Sequence, residues 1–273
     1  MIICADDYGL APDINAAILH LASRSQINAV SVMVASPLCD ERAVEALRSL
    51  SGRVTLGLHL LLTDAVPLSP VAEVSSLVNE AGFLPPLNRL LCRAIRGKVK
   101  AGEVQREVAA QHDTFIRRFG MPPRFIDSHL HVHQFPSLAE ALAAFVLGLD
   151  ATRRPFVRNT HVPIAKAVRQ GVSVWKNLSI SIYGRRNRRL LERLGIATNT
   201  GFAGIYDYRR HSRYPSYFER MTAHMETPFG ILMVHPGTKE PWRRSEYDVL
   251  SRTAGHHTAS RPDFRTNGGT EAG

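Results

Sequence analysis

Apolar residues along this chain follow two rhythms that take turns. Short β-rich runs occur at residues 2–5, 29–35, 54–60, 124–129, 155–158, 202–206 and 229–235. Between them lie stretches of helical period. Ile14, Ala17, Ile18 and Leu21 fall at i, i+3, i+4 and i+7, one face of a helix that Pro12 is suited to begin. Residues 40–50, 87–96, 103–119, 137–149 and 215–226 read as further helices, with Ser137 as the expected N-cap of its own. Residues 174–194 read as partly helical and 244–251 as the start of a last helix. Residues 63–86, rich in Pro and Ser, read as a long loop of the kind that carries function.

Strand–helix alternation repeated this often predicts a parallel sheet. The fold class expected is α/β, a (β/α) barrel or incomplete barrel of about seven parallel strands. Residues 1–255 are expected to form a single domain. Residues 256–273 are polar and rich in Gly and Thr, and are expected to be a disordered tail.

The barrel is preferred to an open sheet because of where the acidic and imidazole residues fall. Asp6 and Asp7 end the first strand, His59 the third, His129 the fourth, Arg158 the fifth and His235 the seventh. C-terminal strand ends converge on one face of a parallel α/β fold. A closed or nearly closed barrel lets the first, third, fourth and seventh surround one centre. If the fourth strand continues, Asp127, His129, His131 and His133 share a face. Four such groups turned inward are costly without partners or a metal.

Two imidazoles and a carboxylate form a catalytic ligand count, whereas structural zinc takes four protein ligands. Zn²⁺ suits nitrogen and oxygen donors, and other first-row metals remain open. A bound metal acidifies water and polarises a carbonyl, a neighbouring carboxylate takes the water's proton, and a histidine across the site protonates the leaving group. Asp6 and His235 are placed for these last two roles. A second Asp could equally orient a ligand from behind. Spacing alone leaves His129, His131 and His133 nearly equivalent. Neither G-x-S-x-G nor a glycine-rich phosphate loop occurs, so serine-nucleophile and nucleotide chemistry have no local support.

Composition narrows the picture further. The 273 residues carry 34 Lys and Arg against 24 Asp and Glu, a formal charge of +10, which raises nucleic-acid binding as a possibility. The densest basic cluster, Arg185, Arg186, Arg188 and Arg189, sits beside Leu190, Leu191 and Leu194 and reads instead as the solvated face of an amphipathic helix. No nucleic-acid partner is therefore expected. Three cysteines without a CxxC spacing exclude a disulfide framework and a zinc knuckle. No secretory signal and no membrane span are expected, which makes a cytoplasmic location the expectation.

Four motifs in order resemble the YdjC-like carbohydrate deacetylases. They are Ala5-Asp6-Asp7-Tyr8-Gly9-Leu10, Gly57-Leu58-His59-Leu60, Asp127-Ser128-His129-Leu130-His131-Val132-His133, and Val234-His235-Pro236-Gly237. The resemblance implies a (β/α) barrel with one divalent metal ion, Mg²⁺ or Zn²⁺. It implies hydrolysis of an N-acetyl group from an acetylated amino sugar or oligosaccharide, with release of acetate. Carried over position by position, it makes Asp7, His59 and His129 the metal ligands, Asp6 the base and His235 the acid. Arg158 becomes a substrate-binding arginine or one that supports the site from behind, His131 and His133 become substrate-binding residues, and a homodimer is implied. The alternatives are another metal-dependent hydrolase, such as a phosphoesterase, and an inactive carbohydrate-binding homologue.

Overall fold

Strand β1 (Ile2–Tyr8) is buried along its whole length, and the sheet extends from both of its edges. The structure, a computed structural model, describes residues 1–170, 174–225 and 229–253. After β1 come α1 (Pro12–Ser23), β2 (Ala29–Val32), α2 (Glu41–Arg48), β3 (Thr55–Leu60), α3 (Leu87–Ile95), α4 (Ala101–Phe119) and β4 (Phe125–Ser128). The chain continues through α5 (Pro136–Gly148), β5 (Phe156–Val157), α6 (Ile164–Gln170), α7 (Val174–Arg193), β6 (Gly201–Ala203), α8 (Tyr214–Ala223), β7 (Gly230–Val234) and α9 (Pro241–Arg252). The tail expected over 256–273 lies outside the described residues.

All strand pairs are parallel, in the order β5-β4-β3-β2-β1-β7-β6. The expected α/β half-barrel of seven parallel strands is present, with β5 and β6 as its free edges. They are also its shortest strands. Side-chain amides span the opening between them. Asn199 Oδ1 accepts from Asn159 N at 2.8 Å, and Asn199 Nδ2 donates to Asn159 O and Gly201 O, each at 2.9 Å. One backbone bond, Val157 N to Ala197 O at 2.9 Å, lies beside them. Replacing Asn199 by Ala strands three buried backbone groups. Each unmet group costs about 1–3 kcal/mol, so Asn199→Ala should lower the urea midpoint by an amount worth at least about 2 kcal/mol. An unchanged midpoint would show that the opening is not held by this amide.

Side-chain alternation sorts the strands into two faces. Ile3, Ala5, Leu56, Leu58, Ile126, Leu232 and Val234 pack outward into the main core with residues of the helices. Ile2, Cys4, Ala29, Phe125, Phe156, Phe202, Ile231 and Met233 face the other way and form a separate apolar cluster. This is the floor of the half-barrel, and each buried large side chain contributes roughly 1.5–3 kcal/mol. Gly57 makes room for it, since a Cβ there would sit 2.3 Å from the Phe125 ring. One step further along the same faces come Asp6, Ser31, His59, Asp127, Arg158 and His235. The sequence thus builds an apolar floor and places a polar layer above it.

The loop at 63–86 is tied down by polar groups on α4. Glu107, fully buried, accepts from Leu68 N at 3.0 Å and Ser69 N at 2.9 Å, and Gln111 brackets Leu61 from both sides at 3.0 and 2.8 Å. Some elements differ from expectation. Helix α5 begins at Pro136 after an uncapped Phe135, so Ser137 is not its N-cap. Pro at the first helical position lacks the N–H that a cap would satisfy. Helix α6 has no counterpart in the sequence reading.

A candidate metal centre at the strand ends

Consecutive residues on a strand normally point to opposite faces, yet Asp6 and Asp7 both reach the polar layer. A register shift between Ala5 and Tyr8 allows this, with Asp7 in the left-handed region at φ 70°. Asp tolerates that region better than most residues, and the bulge turns both carboxylates inward.

Strand β4 does not continue past Ser128. The chain turns, with Leu130 and His131 both at φ 56°. Two successive left-handed residues cost of order 1–3 kcal/mol each, so something must hold them. Ser128 Oγ accepts from His133 N at 3.0 Å and lies 2.7 Å from His133 Nδ1. The other ring nitrogen, Nε2, is 2.8 Å from Arg158 O and donates to it, which leaves Nδ1 to accept from the Ser128 hydroxyl. His129, His131 and His133 therefore do not share one strand face as the alternation suggested.

The turn separates the three histidines by task. His129 is brought to Asp7, with Nδ1 at 3.1 Å from Oδ1, while His59 Nε2 lies 3.5 Å from the same oxygen. One donor atom from each of Asp7, His59 and His129 falls within 4.8 Å of the others. His59 is fixed from behind, its Nδ1 at 2.6 Å from Asp127 Oδ1 and 3.0 Å from Ser31 Oγ. A carboxylate behind a histidine is the usual support for a metal ligand. The donor chemistry of the set suits a divalent cation such as Zn²⁺ or Mg²⁺. His129 is 24% exposed while the Asp7 and His59 side chains are 3% and 2%, so the donor set opens to solvent on the His129 side.

Electrostatics agree with a site built around positive charge. Burial alone would raise the Asp7 pKa, but hydrogen bonds from His129 and His59 hold its carboxyl well below the usual range. Burial likewise opposes charge on His59, yet Asp127 and the other carboxylates outweigh it and push the imidazole up to about 10.

A second acidic group, Cys4 with Asp6 and Asp127, also lies within 4.8 Å. Here the positive charge is already supplied. Arg158 donates hydrogen bonds to both Asp6 oxygens, at 2.8 and 2.6 Å, and forms an ion pair with Asp127 Oδ2 at 3.0 Å. Burial and the nearby Asp6 keep the Cys4 thiol protonated.

This geometry corrects two expectations. Arg158, read as substrate-binding, is 0% exposed and holds two carboxylates from below, out of a substrate's reach. His133, also read as substrate-binding, has both ring nitrogens engaged inside the turn. His131 is different. Its Nδ1 is buried without a protein partner, and the same is true of His235 Nδ1. Both rings are near the carboxylates, and burial lowers their pKa, His235 to about 4.

The sequence reading missed Ser31, Arg243 and Glu246. Arg243 Nη2 lies 2.6 Å from Asp7 Oδ2, and Glu246 accepts from His235 N at 2.5 Å and from Tyr206 Oη at 2.8 Å. With Leu250 they form the buried stripe of α9. Charge on a helix's inward stripe was the available signal.

A family model described as YdjC-like protein matches residues 1–263. A carbohydrate deacetylase of Geobacillus stearothermophilus is 34% identical over 137 residues, 50% of this chain and 51% of that protein. A chitooligosaccharide deacetylase of Serratia marcescens is 33% identical over 145 residues, 53% and 54% of the two chains. The chain thus spans about half the length of these curated relatives. A crystal structure from Enterococcus faecalis V583, described as that of a candidate cellobiose-phosphate cleavage protein, shares the fold with TM-score 0.70 and 22% identity, covering 94% of this chain and 92% of that one. No helix among the described residues is long and apolar enough to cross a membrane.

Proposed function

The chain belongs to the YdjC-like family, and on that premise we propose that it is a metal-dependent hydrolase that removes the N-acetyl group from an acetylated amino sugar or oligosaccharide. The observation that carries the reading is the converging donor set of Asp7, His59 and His129, with Asp6 and His235 nearby. The named activities of the Geobacillus and Serratia relatives support the substrate class.

In this reading Asp7, His59 and His129 hold one divalent cation. When bound there, such a cation would supply the acidification of a water and the polarisation of the acetyl carbonyl. The chain's own residues do the rest. Asp6, fixed by Arg158, accepts a proton from the attacking water. His235 delivers a proton to the amine as the C–N bond breaks. Burial lowers the His235 pKa to about 4, and the proton it delivers to the amine is balanced by the one that the attacking water gives up. His131 offers its unpartnered Nδ1 to the sugar or to the acetyl oxygen. Acetate and the free amine are the products.

The test is acetate release from N-acetylglucosamine and its oligomers, with Zn²⁺, Mg²⁺ or Co²⁺ added to chelator-treated protein. Release that needs the cation is expected, together with loss of release in His235→Ala by about 100-fold or more, the typical size of a general acid–base contribution. Phosphate release from generic phosphoesters, with no acetate from any acetylated sugar, would replace this reading by a phosphoesterase.

A further inference from the structure

Asp7 has two carboxylate oxygens, and the structure treats them differently. Oδ1 faces His59 and His129. Oδ2 receives Arg243 Nη2 at 2.6 Å, with Asp7 and Arg243 both buried. The guanidinium is itself well anchored. Its Nη1 reaches His235 O at 3.5 Å, its Nε lies 3.8 Å from Glu240, and its plane lies over the Trp242 ring at 4.5 Å. One turn along α9, Glu246 holds His235 N at 2.5 Å and so fastens the helix to the end of β7.

We propose that Arg243 is a positioning residue that reserves Asp7 Oδ2, so that this carboxylate offers a bound cation one oxygen and no more. A carboxylate free at both oxygens can bind a cation through either or both. Holding one back keeps coordination positions open for water and substrate, which is what distinguishes a catalytic site from a closed one. Arg243 also fixes the carboxylate plane, because its rigid fork allows few orientations. The inference rests on Asp7 being a ligand, as proposed above, but not on the identity of the substrate.

The experiment compares wild type with Arg243→Met and Arg243→Lys, using Co²⁺ as the probe. Three quantities are read: Co²⁺ affinity, the visible Co²⁺ spectrum without substrate, and kcat and KM for acetate release. In Arg243→Met the second oxygen becomes free to bind. The visible bands should weaken as the coordination number rises, Co²⁺ affinity should hold or increase, and kcat should fall about 10- to 100-fold, the usual effect of losing a ligand's partner, with KM little changed. Arg243→Lys keeps the charge near Oδ2 and should recover part of kcat and of the spectrum. A merely structural arginine would lower affinity and kcat together, and that result overturns the proposal. So does an unchanged spectrum. If Arg243→Met fails to fold, Arg243→Ala takes its place: a weakened spectrum supports the proposal and a wild-type spectrum overturns it. If wild type binds Co²⁺ and responds to these variants but releases no acetate, the substrate reading falls and the proposal stands. If acetate is released and the spectrum ignores Arg243, the proposal falls and the substrate reading stands.

Discussion

Arg158→Met should destabilise the protein by about 3–5 kcal/mol at pH 7, the usual cost of leaving buried charges unpaired. That is a large share of the roughly 5–15 kcal/mol that holds a domain folded. Arg158 has no exposed surface and is bonded to both Asp6 oxygens and to Asp127. Removing it leaves the Asp6 carboxylate in the polar layer without its counter-charge and Asp127 with His59 alone. The sign of the pH dependence follows. Burial alone would raise Asp127, but Arg158 and His59 hold it down to about 2. In wild type, Asp127 therefore contributes stability above the ordinary carboxylate pKa, and that contribution is lost only as pH falls toward 2. In the variant the buried carboxylates favour their protonated forms. The deficit should then be largest at neutral pH and shrink as pH is lowered toward 5. Urea unfolding at pH 7 and pH 5, with a chelator present, checks this. A loss below about 1 kcal/mol, or one independent of pH, would mean that Arg158 does not support the carboxylates.

The second large effect concerns the cation. Asp7→Asn keeps the shape of the side chain, and its amide oxygen can still accept from Arg243, so the fold should persist. His59→Ala removes an imidazole that Asp127 and Ser31 hold in place. Both should weaken cation binding by more than about 100-fold, since loss of a ligand's partner alone typically costs 10- to 100-fold. Linkage makes this visible without a substrate. A cation at 100 times its Kd stabilises the folded state by about 2.7 kcal/mol. Adding Zn²⁺ should therefore raise the wild-type unfolding temperature by several degrees and leave both variants unmoved. An equal rise in all three would place the cation elsewhere.

Much of this could be read from the sequence, because two signals were strong. Short apolar runs and period-3.6 patterning located the strands and most helices among the described residues, including β1, β3 and β7. The clustering of Asp and His at strand ends pointed to the candidate site. The failures share a cause: local pattern does not reveal what tertiary bonds enforce. The Asp127–His133 segment has strand alternation, but the Ser128–His133–Arg158 bonds turn it at Leu130 and His131. The substrate role of Arg158 came from the family resemblance. The residue is one step deeper, where carboxylates from β1 and β4 need a counter-charge. Arg243 and Glu246 were overlooked because the α9 segment reads as an ordinary polar helix until its inward stripe is known. Ser31 sits in an apolar run with nothing local to mark it.

Locating the cation tests the central claim most directly. Crystals soaked in Zn²⁺ and measured at the zinc absorption edge should show one strong anomalous peak, about 2.0–2.2 Å from Asp7 Oδ1, His59 Nε2 and a ring nitrogen of His129. A peak at Cys4, Asp6 and Asp127, or no peak within reach of Asp7 at saturating zinc, would contradict the account.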